Sequence, residues 1–145
     1  MKTNKLLFLL LVLAIACSED DPKDTNQKKL ADTLTAGSWR ITSFVDSGTD
    51  ETNHFTGYTF TFVDQGGVTA MDGNTKYTGA WKIEDSNSDD DTLDDLELFL
   101  DFPTPPDFTD LSADWDILEL TETRLKLQHI SGGNGGNDLL TFEKN

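Results

Sequence analysis

The stretch Tyr58-Thr-Phe60-Thr-Phe62, followed by Asp64-Gln-Gly-Gly67, Val68-Thr-Ala70-Met71 and Asp72-Gly73-Asn74, decides the fold. Aromatic and Thr residues alternate with a period of two, which places every ring on one face of an extended chain. Two short connections rich in Gly, Asp and Asn then reverse the chain twice, and Asp-Gly favours a tight hairpin. Three consecutive antiparallel strands are predicted, the third carrying Tyr77, Gly79, Trp81 and Ile83 on one face.

The same period continues outward in both directions. Upstream, Trp39-Arg-Ile41-Thr-Ser-Phe44-Val45 reads as a strand whose alternation slips at Ser43, the mark of a bulge. Downstream, Leu96, Leu98, Leu100 and Phe102 share a face, and Pro103, Pro105 and Pro106 stop that strand. Asp107 to Leu111 reads as a helical turn. Trp115 to Leu120, Leu125 to His129 and Leu139 to Lys144 complete a set of eight strands. The connections are mostly short, and no helical segment is long enough for a parallel crossover. An all-β, eight-stranded antiparallel up-and-down barrel over residues 36–145 is expected, with an open β-sandwich as the alternative.

The N-terminal third has a different composition. Lys2 and Lys5 precede an apolar run from Leu6 to Ala16, which is eleven residues long. About 20 are needed to span a bilayer, so residues 1–16 read as a signal peptide. Ala14-Ile-Ala16-Cys17 resembles the bacterial lipobox. That resemblance implies cleavage before Cys17, the only Cys of the chain, and a diacylglycerol thioether on its sulfur as membrane anchor. Residues 17–35 read as the lipidated Cys and a flexible acidic tether. Ser18-Glu19-Asp20-Asp21 resembles the lipoprotein export signal of Bacteroidetes, which implies the outer face of the outer membrane. Removing Lys2 and Lys5 leaves 9 bases against 27 acids, a net charge of −18.

Gly37-Ser38-Trp39 opens the first strand and resembles the Gly-x-Trp motif of lipocalins, whose Trp plugs the closed end of the barrel. Lys144 stands where lipocalins carry an Arg over that Trp. Residues Asp114 to Lys144 resemble lipocalin-like lipoproteins of Bacteroidetes. The resemblance implies a binding module, with Tyr58, Phe60, Phe62, Tyr77 and Trp81 as candidate lining for a small apolar ligand. The alternative is a solid barrel that meets a protein or glycan partner and holds no small ligand, because the same aromatics can equally pack a core.

Other chemistry is sparse. The net charge of −16 on the whole chain argues against nucleic acid as a partner. Asp85, Asn87, Asp89 and Asp91 place oxygens at alternate positions, as a Ca²⁺ loop does. Asp90 stands where such a loop needs Gly and Leu96 where it needs Glu, so a solvated loop is expected and no metal. The Gly-rich stretch Ser131 to Asn137 precedes a strand, not a helix, and reads as a hairpin loop, not a phosphate cradle. His54 and His129 form no metal motif, and no nucleophile motif is present. The chain is expected to be a monomer without cofactor or enzymatic activity.

If Cys17 carries the anchor, the protein takes up labelled palmitate in a bacterial host and Cys17→Ala does not. Equal labelling of the two would exclude the lipoprotein reading.

Overall fold

The structure is a computed structural model, and it describes residues 22–85, 92–133 and 136–145. Residues 1–21, 86–91 and 134–135 lie outside it, and with them the signal peptide, Cys17 and the export signal.

Eight antiparallel strands close into a barrel, and one short strand is added at its rim. They are β1 (Ser38–Asp46), β3 (Thr59–Val63), β4 (Gly67–Asp72), β5 (Thr75–Asp85), β6 (Leu96–Asp101), β7 (Ala113–Leu120), β8 (Arg124–Ile130) and β9 (Asn137–Lys144). The added strand is β2 (Thr49–Asp50), which pairs with the end of β1. Each barrel strand hydrogen-bonds to the next, and β9 returns to β1 from Trp39↔Lys144 to Val45↔Leu139. That pairing removes both sheet edges and excludes the open sandwich. The register of β1 against β9 shifts between Ile41 and Ser43, where the sequence alternation slips.

Alternation carries through to burial. Trp39, Ile41 and Phe44 of β1, Phe60 and Phe62 of β3, and Leu96, Leu98 and Leu100 of β6 all point inward and are buried. Gly79 on β5 belongs to the same interior face. A Cβ there would stand 2.5 Å from the carbonyl oxygen of Asp101, so only glycine lets the two strands approach at that point.

Both ends of the barrel are covered. At the end where β1 begins lies helix α1 (Pro22–Thr35), with Leu30 and Leu34 fully buried in the barrel's own hydrophobic core. The Trp39 indole donates a hydrogen bond to the Leu34 carbonyl oxygen (2.9 Å). Within the stretch read as a flexible acidic tether, residues 17–35, the described part from Pro22 to Thr35 is helical. Leu30, Ala31 and Leu34 stand at helical spacing and meet the barrel, while Lys28 and Asp32 pair on the exposed side (2.6 Å). The helix is polar enough to resemble a linker, and its two buried leucines are the difference.

At the opposite end, a 3₁₀ turn (Thr52–Phe55) and a short helix α2 (Pro106–Thr109) turn Phe55 and Phe108 inward. Two hydroxyls hold these segments in place. Thr52 Oγ1 accepts from the Phe44 amide (2.8 Å), and Ser112 Oγ accepts from the Phe102 amide (2.8 Å).

Leu34→Ala should therefore lower stability by about 2–5 kcal/mol, the usual range for emptying a buried leucine site. Urea melts of the soluble chain from residue 18 onward measure this. A change near zero would mean that residues 22–35 are a tether after all.

Candidate functional site

The end away from α1 gathers most of the chemistry. The Phe108 ring contacts five other rings: Phe55 (5.2 Å between centroids), Tyr58 (5.0 Å), Phe60 (6.0 Å), Tyr77 (4.9 Å) and Phe102 (5.4 Å). Most of these contacts are edge-to-face or tilted, the arrangement that ring quadrupoles favour. The ring is buried inside the end of the barrel away from α1.

The five lining candidates divide into two groups around it. Phe60, Phe62 and Trp81 are buried. Phe60 packs on Phe102 and Phe142, and Phe62 packs on Trp81 and Phe142. The Trp81 indole donates to the Val63 carbonyl oxygen (3.0 Å), which satisfies its one polar atom. Tyr58 and Tyr77 are half-buried at the rim, with ring centroids 5.8 Å apart and planes tilted by 30°. Burial pushes the Tyr58 hydroxyl above its ordinary pKa, and its hydrogen bond with Tyr77 adds to the effect. The structure thus brings Tyr58 and Tyr77 together at a surface and places the other three in the interior.

Gly37 and Trp39 stand at the α1 end. Trp39 is completely buried, and the Lys144 ammonium lies 5.3 Å from its ring centroid. Gly37 has φ +135°, and a Cβ there would come within 3.2 Å of the Lys144 stem. The glycine thus gives Lys144 room to reach the indole.

Phe108, like Phe55, is not assigned to the interior by the sequence alone. A helical turn after Pro105-Pro106 is legible, since Pro suits the first helical position. A single turn has no periodicity from which an inward face could be read.

Carboxylates converge at two places on the outer surface. Asp46, Glu51 and Asp110 form one group and Glu84, Glu97 and Asp114 the other, each with ligand oxygens within 4.8 Å of one another. The second group arises from strand register, because Glu84 lies opposite Glu97 and Phe99 opposite Asp114. Oxygen sets of this kind suit a hard cation, although three ligands fill less than half of a Ca²⁺ shell. Of the residues read as a Ca²⁺-type loop, Asp85 ends β5, and Asn87, Asp89 and Asp91 lie outside the described residues. Burial, followed by Asp116, Asp114 and Glu84, raises the pKa of Glu97. Burial also raises that of Asp110, aided by Asp46 and Asp107 and opposed by His54.

The histidines sit apart. His54 Nδ1 lies 3.7 Å from Glu51 and 3.9 Å from Asp107, linking the 3₁₀ turn to α2. His129 Nδ1 lies 2.9 Å from the Asp114 carbonyl oxygen.

No protein-family model matches the chain, and no curated protein matches it in sequence. Among solved structures, the chain is similar to a DUF4847 family protein from Bacteroides vulgatus, with a TM-score of 0.51 and 16% identity. The match covers 80% of this chain and 97% of that one. At that identity the likeness concerns the fold alone.

The raised pKa of Glu97 has a consequence for stability. Its folded state holds a proton more readily than the unfolded chain does, so stability is lost as pH rises from the ordinary carboxylate range through the folded value. Glu97→Gln should raise the melting temperature at pH 7, by on the order of a few degrees, and narrow the difference between pH 7 and about pH 5. Thermal melts at both pH values test this. A lower melting temperature at pH 7 would contradict it.

Proposed function

We propose that the mature protein is a surface lipoprotein, held to the outer membrane by a lipid on Cys17 and sorted outward by Ser18-Glu19-Asp20-Asp21. Its barrel is packed solid, and it acts through its outer surface on a protein or glycan partner. It carries no catalytic centre. The observation behind the solid-barrel reading is Phe108. Its ring meets five others inside the end of the barrel away from α1, and Leu30, Leu34 and Trp39 fill the other end.

Gly37-Ser38-Trp39, with Lys144 over the indole, supports a lipocalin-like reading of the barrel base. A filled interior separates this chain from ligand-carrying barrels of the same strand number, which keep their core small enough to leave room.

The second reading is a small apolar ligand held beneath Tyr58 and Tyr77. The observation that favours it is their half-burial at the rim, with polar tips beside an apolar floor.

One experiment separates the two. A fluorescent apolar probe such as anilinonaphthalene sulfonate is titrated into the soluble folded domain. On the solid-barrel reading the wild type gives no saturable signal. Phe108→Ala removes the central ring of the cluster, costs about 3–5 kcal/mol, and opens a site that does bind the probe. Saturable binding by the folded wild type, lost on replacing Tyr58 and Tyr77 with Ala, would overturn the solid-barrel reading in favour of the second.

A further inference from the structure

We propose that the outward face of β8, β9 and β1 is a self-association surface, on which a second copy of this chain docks across a two-fold axis. The inference is independent of the lipid-anchor reading and of the Tyr58–Tyr77 rim.

Strand register assembles the face. Trp39, Ile41 and Phe44 of β1, Leu125 and Leu127 of β8, and Leu140 and Phe142 of β9 are buried in the interior, so the positions between them point outward. Arg40 lies opposite Glu143, and Glu143 opposite Arg124. Further along the same strands, Val45 lies opposite Leu139, and Leu139 opposite Gln128. Ile130 follows Gln128 by two positions and closes the face.

The first observation is apolar exposure. Five large hydrophobic side chains are exposed among the described residues, and three of them gather here: Ile130 (64%), Leu118 (55%) and Leu139 (38%). Leu139 and Ile130 are diagonal neighbours across β9 and β8, about 7–8 Å apart and within side-chain reach. Leu118 is turned outward beside Lys126 by the register shift between Ile117 and Glu119 on β7. The other two, Val63 and Met71, stand at opposite ends of the outer face of β3 and β4, with Thr61 and Thr69 between them. Exposed apolar residues standing singly are ordinary, whereas a contiguous group marks a contact surface.

The second observation is local charge. With 27 acids against 11 bases, two copies repel each other through most of their surfaces. On this face Arg40 and Arg124 flank Glu143 (3.6 and 3.8 Å), and Lys126 reaches Glu119 of β7 (3.6 Å). Asp116 borders the face opposite Gln128, which brings acids and bases into balance. Asp46 and Asp138 occupy alternate positions that turn from it, and Asp114 belongs to the neighbouring group with Glu84 and Glu97. The charges are thus already matched within one copy, and the face presents no single sign for an oppositely charged partner to recognise. Its own image suits it, apolar side chains on apolar side chains, and a contact of a patch with itself closes as a two-fold dimer. Four strands about 4.8 Å apart and seven residues long cover roughly 400 Å². That is about half of what each partner buries in a stable complex, so the dimer is weak and reversible. It departs from the monomer expected of the sequence because register, not composition, gathers the face.

Sedimentation equilibrium tests this on residues 17–145 with Cys17→Ser, a chain that holds every described residue and has no thiol to cross-link. A contact of this size should give a dissociation constant on the order of 100 µM. Association should strengthen between about 0.05 M and about 0.5 M NaCl, because salt screens the overall repulsion and leaves apolar burial in place. Ile130→Thr combined with Leu139→Thr keeps the strand preference and should weaken the dimer at least about tenfold. Leu118→Gln, at the exposed bulge, is the milder second variant and should weaken it several-fold. Val63→Thr with Met71→Thr should leave it unchanged, and thermal melts confirm that each variant is folded. A wild type that stays monomeric at about 1 mM in both salts would overturn the inference. So would a dimer that salt dissociates, or one that the folded Ile130, Leu139 and Leu118 variants leave intact.

Discussion

The return of β9 to β1 is the constraint on which the rest of the structure depends. β1 has nine residues and pairs with β3 at its start, with β2 at its end, and with β9 from Trp39 to Val45. Without that last ladder, β1 and β9 would each present a row of unpaired amides and carbonyls to water. With it, every inward-facing residue of eight strands shares one enclosed volume. The bulge between Ile41 and Ser43 allows Phe44 as well as Trp39 to face that volume despite the odd spacing. A second shift, between Ile117 and Glu119 on β7, leaves Leu118 exposed for the same geometric reason.

Ten of the 23 buried hydrophobic residues among the described ones are aromatic, and this bears on an otherwise costly surface. Twenty-seven acids against 11 bases repel one another in any compact state. Large rings bury the most apolar area per residue, so a short chain can offset that repulsion with few core positions. Each of the three tryptophans also has its indole N–H satisfied by a backbone carbonyl: Trp39 by Leu34, Trp81 by Val63 and Trp115 by Leu111. A Trp can be buried without loss only when its donor is matched in this way. Among the described residues no polar or charged side chain is buried, so the interior is apolar apart from those donors.

The two ends of the barrel are built differently. Helix α1 joins the core through leucines and a hydrogen bond to Trp39, which ties the N-terminal segment of the described chain to the fold. The opposite end is closed by single turns carrying Phe55 and Phe108, each held by one hydroxyl. The surface beyond them is acidic, and its least charged part is the Tyr58–Tyr77 pair.

The strands were legible from the sequence because the side-chain period of a strand is a local property. Tyr58-Thr-Phe60-Thr-Phe62 carries it within five residues, and Asp72-Gly73-Asn74 specifies its turn from neighbouring residues alone. The charge balance and the unique Cys17 after an apolar run are likewise local. What lies far apart in sequence was decided only by the fold. Leu30 and Leu34 look like two apolar residues in a polar linker until the barrel places a hydrophobic base beneath them. Phe108 looks like one aromatic in a turn until β3, β5 and β6 bring Phe60, Tyr77 and Phe102 around it. Glu84, Glu97 and Asp114 converge only because the register sets them side by side. Residue type and spacing determined which faces are apolar. Chain closure, which acts between residues up to about a hundred positions apart, determined which of those faces meet and what remains open to solvent.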